Sequence, residues 1–511
     1  MRVKRTLKNS FYAITSYLLL SVLAIFVRKT FLWLLPIEFL GYEGLFGNIF
    51  SLIAIADLGI ESIILYRLFP AFVKKKHDDI NRLMRIYKLL YKNVGITIFI
   101  IGIALVPFLH IIISQHSYDW NYLYLIYFSH LFSTLCTYFM AYKRIIFRVN
   151  QEEYECTKID TYILIIFDIV KILFLVLFRS YFLYILCNLI ANLLSNIIIS
   201  YRVNKKFTYL DLNIKANYKD IKEDIKSLGI SRDIKNTIIQ KISGVIYGGT
   251  DNIVVSIMLG MKQTGLLANY LLISGYISSF FQKILQPFQA SIGNYVHSES
   301  KEISENLFHM FDFISYMLAC IICVCYINLF NPTISVLFGS QYLLNMDFVC
   351  MFVCNQYITW NHLFVVYYRY SFGNYELDRL GFIVAAILNV ISSIILCKFI
   401  GLAGVMFGTV ISNFILWCSR IKALYSVYIK EDVYYYIKRQ IIRIFLCFFQ
   451  CYLIYSICSV FPISIFGVLI RLAICPILSI SLNILIYLNT KEIKNIVDYF
   501  GQIIQLFSGR K

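Results

Sequence analysis

Runs of about 20 apolar residues recur from one end of the chain to the other, separated by shorter polar segments. A helix of this length crosses the apolar core of a bilayer, whereas the strands of a membrane barrel show alternating segments of about 10 residues. The pattern therefore predicts an all-α polytopic membrane protein with about 14 transmembrane helices. The predicted spans are Phe11–Leu35, Gly44–Tyr66, Leu89–Ile113, Tyr122–Ala141, Ile159–Phe178, Tyr181–Tyr201, Ile234–Leu259, Gly265–Gln286, Leu307–Phe330, Asp347–Tyr368, Leu380–Phe399, Leu402–Trp417, Ile441–Val460 and Ile463–Leu488.

A short motif occurs twice, each time leading into a new apolar helix. Leu40-Gly41 followed by Gly44–Asn48 returns as Leu259-Gly260 followed by Gly265–Asn269. Transporters are commonly built from two such repeats around one central site. The repeat therefore predicts two pseudo-symmetric six-helix halves, with two additional helices after the second half.

The polar segment between the sixth and seventh spans divides the two halves. We therefore predict an N-terminal half at residues 1–203, a cytoplasmic linker at 204–230, a C-terminal half at 231–426, and two further helices with a tail at 427–511.

Composition agrees with this assignment, since 59% of the residues are hydrophobic, 15% are charged and the mean hydropathy is +0.71. Soluble domains have an apolar share of about 45–50%. The net charge of +18 comes from 47 Lys and Arg against 29 Asp and Glu. Most of these basic residues fall in alternate loops, which by the positive-inside rule predicts that both termini are cytoplasmic. A nucleic-acid partner is not expected, because the charges do not form one basic face.

The sequence carries no motif of a soluble enzyme. It has no glycine-rich phosphate loop, no zinc spacing among its 7 His, and no Ser/His/Asp set outside the apolar runs. Its 14 Cys lie mostly inside apolar runs, and Cys320-x-x-Cys323 fits small buried hydrophobes better than a metal or redox pair. We therefore expect a protein that is not an enzyme.

Basic residues within the spans suggest a site for an anion. Arg28 and Lys29 lie within the first predicted helix, and Lys283 lies in the eighth. Charges at membrane depth are costly and tend to mark functional sites, although they also snorkel to the interface or form structural pairs. An Arg guanidinium binds phosphate in a bidentate manner, so these residues predict a cavity for a phosphate or diphosphate. For Lys283 the competing interpretation is an end charge that snorkels outwards.

Acidic residues also occur within the spans. Asp57 and Glu61 share one face of the second helix at positions i and i+4, and we include both in the predicted substrate site. Asp168 and Lys171 are predicted to pair within the fifth helix. Arg471 in the last helix is predicted to be structural.

A second candidate site combines four oxygen-bearing side chains. Asp251 lies in the seventh helix, Asn389 and Ser393 lie one turn apart in the eleventh, and Thr409 lies in the twelfth. Hard oxygen ligands with one negative charge suit Na⁺, and the carboxylate alone could carry H⁺. A hydrogen-bonded seam between helices is the alternative for the amide and hydroxyl groups.

Several motifs, taken together in their order, resemble those of the polysaccharide flippases for O-antigen, capsule and teichoic-acid repeat units. This family belongs to the multidrug, oligosaccharidyl-lipid and polysaccharide exporters. The matching segments are Arg28–Phe31, Phe39–Ile49, Gln151–Tyr154, Gly249–Ser256, Ser291–Asn294, Ala386–Asn389 and Gly401–Thr409.

The resemblance implies a flippase that moves an undecaprenyl-diphosphate-linked oligosaccharide from the inner to the outer leaflet of a bacterial plasma membrane. It further implies membrane lipids, a polysaccharide polymerase and glycosyltransferases as partners. Arg28 matches a cavity arginine of the related peptidoglycan-precursor flippases, and Asp251, Asn389, Ser393 and Thr409 are similar to their Na⁺ site. Two positions depart from that pattern, because Ser393 stands where an Asp is expected and the second helix has no Arg.

Three other functions remain open at this stage. A cation-coupled multidrug exporter of the same fold would need an acidic, aromatic pocket for organic cations. A membrane polysaccharide polymerase or glycosyltransferase would need catalytic residues on a sizeable external loop, whereas the predicted external loops are short. A scaffold without transport would leave the buried charges unexplained.

Overall fold

The computed structural model describes residues 2–57, 59–113, 118–212, 225, 250–298, 301–371, 379–429, 431–490 and 492–494. Within these ranges the regular structure is α-helical with short 3₁₀ turns, and it contains no strand. The predicted all-α class is therefore confirmed. Ten of the described helices are long and apolar enough to cross a membrane.

The chain folds as two compact units, Met1–Gly265 and Leu266–Lys511. The helices that belong wholly to the first unit are α1 (Arg2–Leu34), α2 (Glu38–Ile53), α3 (Ile60–Val73), α4 (His77–Ala104), α5 (Leu109–Ile112), α6 (Trp120–Met140), α7 (Arg144–Val149), α8 (Glu153–Phe178) and α9 (Tyr181–Lys206).

Helix α10 (Asp251–Ser298) begins in the first unit and continues into the second, with non-helical backbone at Gly260. The remaining helices are α11 (Lys301–Leu337), α12 (Met346–Asn361), α13 (Leu363–Ser371), α14 (Arg379–Val427), α15 (Val433–Cys458) and α16 (Ile465–Tyr487).

Two predicted boundaries coincide with the observed ends of α8 and α9. The fifth predicted span ends at Phe178 and the sixth begins at Tyr181, as α8 and α9 do. The turn between them consists of Arg179, which adopts φ 47°, and Ser180, whose hydroxyl accepts a hydrogen bond from the Leu183 backbone N–H. A serine in this position satisfies one of the free amide groups at a helix start.

The second predicted span, Gly44–Tyr66, is not one continuous helix. Helix α2 ends at Ile53, a 3₁₀ turn covers Ala54–Asp57, and α3 starts at Ile60 after Gly59, which has φ 77°. An L-residue pays a steric penalty in this left-handed conformation, and glycine does not. Hydropathy reports apolar content and not backbone conformation, so the pattern of residues could not show the interruption.

Two further breaks in the helices lie in the second unit. The span Asp347–Tyr368 is divided between α12 and α13 at His362. The eleventh and twelfth predicted spans are the two helical segments of α14, and non-helical backbone at Ile400 and Gly401 separates them where the predicted spans meet. Most of the predicted linker and the first part of the seventh predicted span lie outside the described residues, so the boundary between the predicted halves stays a prediction.

Packing differs between the two units. In the first unit α8 packs against both α1 and α9, and α6 packs against α9 and α4. In the second unit α11 packs against α12, α15 and α16. The most apolar part of α11 is 67% buried, whereas that of α1 is only 11% buried, so α11 is the central helix of its unit.

Two glycines of the repeated motif lie at a close backbone approach within the first unit. A Cβ atom added to Gly41 would lie 2.3 Å from the Met261 backbone oxygen, and one added to Gly265 would lie 2.3 Å from the Ile37 backbone oxygen. Both distances are far below van der Waals contact. The glycines of the repeat are therefore required for the close crossing of α2 with α10.

Candidate functional site

Arg28 is held near one end of the first unit. It lies six residues before the end of α1, or about 9 Å along the helix. Its Nη1 atom is buried and makes no hydrogen bond within the described part of the chain. The next residue, Lys29, is exposed. A buried guanidinium nitrogen without a hydrogen-bond partner is costly, which marks Arg28 as a candidate ligand-binding residue.

Two further titratable residues of the first unit, linked to Arg28 through Tyr181, were not identified from the sequence. Glu43 lies in the first turns of α2 and His130 lies midway along α6; Oε2 of Glu43 and Nε2 of His130 are both buried, without a hydrogen-bond partner among the described residues. Glu43 is within electrostatic range of His130 and of Tyr181, and Arg28 is also within range of Tyr181. These four side chains form a group that we call the Arg28 cluster.

Sequence reasoning missed Glu43 because it was placed in a predicted external loop. His130 was missed because a single histidine within an apolar run gives no pattern that indicates a site. The signal that could have found them is that both are ionisable and lie in or beside a span.

Aromatic rings cover the Arg28 cluster at the end of the unit. Tyr181 stacks on Phe39 with ring centroids 4.5 Å apart, and Phe39 lies 4.6 Å from Tyr118. Phe31, three residues after Arg28, meets the edge of Tyr181 at 5.8 Å. Tyr181 is the first residue of α9, so the rings join α1, α2 and α9 around the charged group.

Asp57 occupies a different level of the unit. It ends the 3₁₀ turn that interrupts the second predicted span, 14 residues beyond Glu43 and thus roughly 20 Å further along the chain path. It is within electrostatic range of three tyrosines, Tyr87, Tyr91 and Tyr138. The structure therefore places Asp57 in an acidic and aromatic region, apart from Arg28.

Glu61 forms an ion pair that could not be predicted from helix periodicity. Its carboxylate contacts the guanidinium of Arg148 on α7, and Arg148 also contacts Glu153 at 3.0 Å. Both side chains of the Glu61–Arg148 pair are about two-fifths exposed, at 38% and 43%. This contact supports a structural role for Glu61, and its predicted role in substrate binding remains a prediction.

The predicted pair in the fifth span is confirmed. Lys171 Nζ donates to Asp168 Oδ1 at 2.6 Å, and both side chains are buried. Arg471 donates to the backbone oxygens of Cys458 and Phe461 at 3.1 and 2.7 Å, which fits the structural role predicted for it.

The amide and hydroxyl groups of the predicted cation site form a buried seam in the second unit. Asn389 Nδ2 donates to Thr409 Oγ1 at 3.2 Å and to Ser412 Oγ at 3.3 Å, and Ser393 Oγ donates to the Val405 backbone oxygen at 3.1 Å. All four side chains are at most 6% exposed. The structure thus brings Asn389, Ser393 and Thr409 together as the hydrogen-bonded alternative describes.

A glycine pair explains why the two segments of α14 approach so closely. A Cβ atom at Gly408 would lie 2.6 Å from the Ser393 backbone nitrogen, and one at Gly404 would lie 2.2 Å from the Leu396 backbone oxygen. The spacing Gly404-x-x-x-Gly408 puts both glycines on one helix face, an arrangement that permits close helix packing in membranes.

The other two predicted site residues are placed as follows. Asp251 is the first residue of α10 and belongs to the first unit, where an acidic side chain also stabilises the helix start. Lys283 is exposed on the part of α10 in the second unit. Their predicted association with residues of the opposite unit stays a prediction. Among the described residues, no group of three His, Cys, Asp or Glu is arranged to hold a metal ion.

A buried ion pair in the second unit was also missed by sequence reasoning. Arg443 Nη1 on α15 donates to Asp312 Oδ2 on α11 at 2.5 Å, and the side chains are 4% and 1% exposed. Gln440 Nε2 donates to the same carboxylate at 3.4 Å and Gln440 Oε1 accepts from Asn361 Nδ2 at 2.8 Å. The network joins α15 to α11 and to the end of α12. The sequence offered one signal for this pair, because Asp312 and Arg443 are opposite charges near the ends of two predicted spans.

Comparison with solved structures identifies the fold. No family model and no curated protein matches the chain. The lipid II flippase MurJ in an inward closed conformation is 16% identical, with a TM-score of 0.66 over 93% of this chain and 98% of that one. An inward-facing multidrug resistance MATE family transporter of the MOP superfamily is 15% identical, with a TM-score of 0.58 over 81% of this chain and 98% of that one.

A Vibrio cholerae MATE transporter, VcmN, is 13% identical, with a TM-score of 0.50 over 85% of this chain and 98% of that one. Identities this low establish shared architecture and leave substrate undetermined. The chain has the fold of the MOP-superfamily transporters, the group that includes the MATE transporters and the lipid II flippase.

Proposed function

We propose that this protein is a flippase for an undecaprenyl-diphosphate-linked oligosaccharide, which it moves from the inner to the outer leaflet of a bacterial plasma membrane by alternating access. The translocated unit serves the synthesis of a surface polysaccharide such as O-antigen, capsule or teichoic acid. The observation that carries the proposal is the buried Nη1 atom of the Arg28 guanidinium, which has no hydrogen-bond partner in the described chain.

The chemistry of the Arg28 cluster suits a diphosphate that carries a sugar. A guanidinium binds two phosphate oxygens at once, and its pairing with an anion is strengthened where water is excluded. Glu43 and His130 provide an acceptor and a donor for sugar hydroxyls, and the buried hydroxyl of Tyr181, which has no hydrogen-bond partner among the described residues, provides a third polar group. A lipid II flippase structure has the same fold over 93% of this chain, so the architecture is compatible with a lipid-linked substrate.

The test is leaflet exchange of a fluorescent undecaprenyl-diphosphate oligosaccharide in proteoliposomes that contain the purified protein. We expect Arg28→Ala to lower the rate at least tenfold, because an arginine–phosphate pair in a dry site contributes about 1.5–3 kcal/mol. Arg28→Lys should recover only part of the rate, since it keeps the charge and loses the bidentate geometry.

Lys262→Ala provides a matched control, because Lys262 is an exposed cation of the same unit. It should translocate at the wild-type rate. Normal translocation by a correctly inserted Arg28→Ala protein would refute the assignment of Arg28.

The energy source in this proposal is a Na⁺ or H⁺ gradient that acts through Asp251, with Asn389, Ser393 and Thr409 as the predicted oxygen ligands. An ion moves a conformational equilibrium only through its different affinity for the two states. We expect Asp251→Asn to stop gradient-dependent translocation and to leave binding of the lipid-linked sugar within twofold of wild type. If translocation by the Asp251→Asn protein still responds to an imposed gradient, Asp251 does not couple the ion to transport, and its role is to stabilise the start of α10.

A cation-coupled multidrug exporter is the second candidate. The observation that favours it is Asp57 within range of Tyr87, Tyr91 and Tyr138, since a carboxylate surrounded by aromatic rings suits an organic cation. Uptake of a cationic dye by the same proteoliposomes discriminates the two. Transport of the dye, lost in Asp57→Asn and kept in Arg28→Ala, would establish the exporter.

A further inference from the structure

Helix geometry places Glu43 on the face of α2 that meets both Tyr181 and His130. Phe39, four residues before Glu43 on that face, stacks on Tyr181 with ring centroids 4.5 Å apart. Phe46, three residues after Glu43, meets the ring of His130 at 5.7 Å. The carboxylate of Glu43 is within electrostatic range of both side chains.

Arg28 reaches the same tyrosine from α1. Phe31, three residues after Arg28, meets the edge of the Tyr181 ring at 5.8 Å, and the guanidinium is within electrostatic range of Tyr181. Arg28 and Glu43 therefore act with opposite charge on one side chain that is only 1% exposed. Because a buried site disfavours net charge, these two charges compensate each other when His130 is neutral.

Each member of the Arg28 cluster has a buried polar atom that lacks a hydrogen-bond partner among the described residues. These atoms are Nη1 of Arg28, Oε2 of Glu43, Nε2 of His130 and Oη of Tyr181. Unsatisfied buried groups are costly, so a cluster of them favours binding of a ligand. An imidazole gains a proton near neutral pH, and a carboxylate in range stabilises the imidazolium.

The other ionisable groups on α6, α8 and α9 add no net charge to the cluster. Tyr122 and Tyr184 are both within electrostatic range of Tyr181. Helix α8 packs against α1 and α9, and its Lys171 Nζ donates to Asp168 Oδ1 at 2.6 Å. This pair neutralises itself, so the charge that a bound anion brings is balanced by the cluster's own residues.

Two more helices pack on α2. On α10, Asp251 precedes Asn252, whose Nδ2 atom would lie 3.5 Å from a Cβ atom added to Gly44. Residues 93–104 of α4 contain no ionisable side chain. The charge that α10 adds to this region is thus negative, and a negative charge favours protonation of a neighbouring group.

We propose that the Glu43–His130 pair takes up a proton when a diphosphate binds at Arg28. The inference rests on the proposed function and adds a proton to the loaded state of the same site. A diphosphate diester carries a negative charge on each phosphate, and one guanidinium balances only part of it. The remaining negative charge favours protonation of the pair. The proton comes from water and is held between Nε2 of His130 and Oε2 of Glu43, and no other bond changes.

Proton uptake makes binding depend on pH. A ligand that binds together with a proton binds more tightly as the pH falls, over the range in which the free pair is unprotonated and the loaded pair is protonated. In that range the affinity for the diphosphate should fall about tenfold for each pH unit of increase.

The test is isothermal titration calorimetry of the full-length protein in detergent. The probe is citronellyl-diphosphate-N-acetylglucosamine, a soluble diester whose phosphates stay ionised near neutral pH. Titrations at one pH in buffers that differ in ionisation enthalpy count the protons taken up. We expect about one proton for each probe molecule bound by the wild-type protein.

The double variant Glu43→Gln with His130→Gln replaces both ionisable groups by neutral polar ones. It should bind the probe without proton uptake and with an affinity that no longer changes with pH. His110→Gln is the matched control, because His110 is an exposed histidine of the same unit whose Nε2 atom lies 2.8 Å from Tyr124 Oη. This variant should take up the same number of protons as the wild type.

The outcomes separate this inference from the proposed function. Probe binding by the wild type without proton uptake, at an affinity independent of pH, would overturn the inference and leave the proposed function in place. Unchanged proton uptake in the double variant would assign the proton to other groups and also overturn it. The wild-type proton count and pH dependence decide the question even if the double variant does not fold. A probe that binds at no pH would overturn the proposed function, and this inference with it.

Discussion

Individual charged residues show what a sequence can and cannot reveal about a membrane protein. The cost of a charge in lipid made Arg28, Asp57, Glu61 and Asp168 visible as unusual residues from the sequence alone. Partners close along one helix, such as Lys171 for Asp168, could also be read from the spacing. Arg148, the partner of Glu61, comes from a distant part of the chain, and only the fold brings them together.

The Glu61–Arg148 contact leads to a prediction that separates a structural from a substrate-binding role. If Glu61 acts through the pair, Glu61→Gln and Arg148→Gln should reduce translocation to the same extent, and the double variant should be no worse than either single one. The loss of stability should stay below about 1 kcal/mol, because both side chains are partly exposed. The measurement is a double-mutant cycle on initial rates of leaflet exchange. A large effect confined to Glu61→Gln would return Glu61 to the substrate site.

The ends of helices were predicted well where a polar turn interrupts the apolar pattern. They were predicted poorly where the backbone breaks within an apolar run. The span limits at Phe178 and Tyr181 agree with α8 and α9, because a polar turn interrupts two long apolar runs. The interruption at Gly59 lies inside an apolar run and was not predicted, whereas the break at Ile400 and Gly401 falls where the eleventh and twelfth predicted spans meet. The repeated glycines could be recognised in the sequence. The close approach of Gly41 to the Met261 backbone and of Gly265 to the Ile37 backbone could not be predicted from it.

The crossing of α2 with α10 depends on Gly41, which provides a matched pair of substitutions. Gly41→Ala should destabilise the protein by about 1–3 kcal/mol, because the new Cβ would collide with the Met261 backbone. Gly47→Ala on the same helix should be neutral or stabilising by up to about 1 kcal/mol, since no atom lies within 4 Å of its Cβ position. Thermal unfolding in detergent measures both. Equal behaviour of the two variants would contradict the close crossing.

The buried pair Asp312–Arg443 fastens α15 to the central helix of the second unit. Asp312→Asn should destabilise by about 3–5 kcal/mol, because it leaves the Arg443 charge buried without its counter-ion. The double variant Asp312→Leu with Arg443→Met should be closer to wild type than either single change, since an apolar pair removes both desolvation costs. The same unfolding assay provides the values. Additive losses in the double variant would show that the two charges are not coupled.

At the scale of the whole molecule, composition and hydropathy were sufficient for the class of protein. Apolar runs of membrane length leave the helix as the structure that satisfies every backbone group, and the regular structure of the described residues is helical. The end-to-end match to a lipid II flippase at 16% identity shows that this architecture persists when few residues are shared. Substrate and sidedness depend on a few side chains and on loop charges, so the fold does not determine them.

The central claim is that the protein carries a lipid-linked diphosphate sugar across the bilayer. The most direct measurement is leaflet exchange of undecaprenyl-diphosphate oligosaccharide by the wild-type protein in proteoliposomes, with and without an imposed Na⁺ or H⁺ gradient. We predict translocation that accelerates when the gradient is applied and is absent from protein-free vesicles. Absence of exchange under either gradient, together with uptake of a cationic dye by the same vesicles, would contradict the claim and establish an exporter instead.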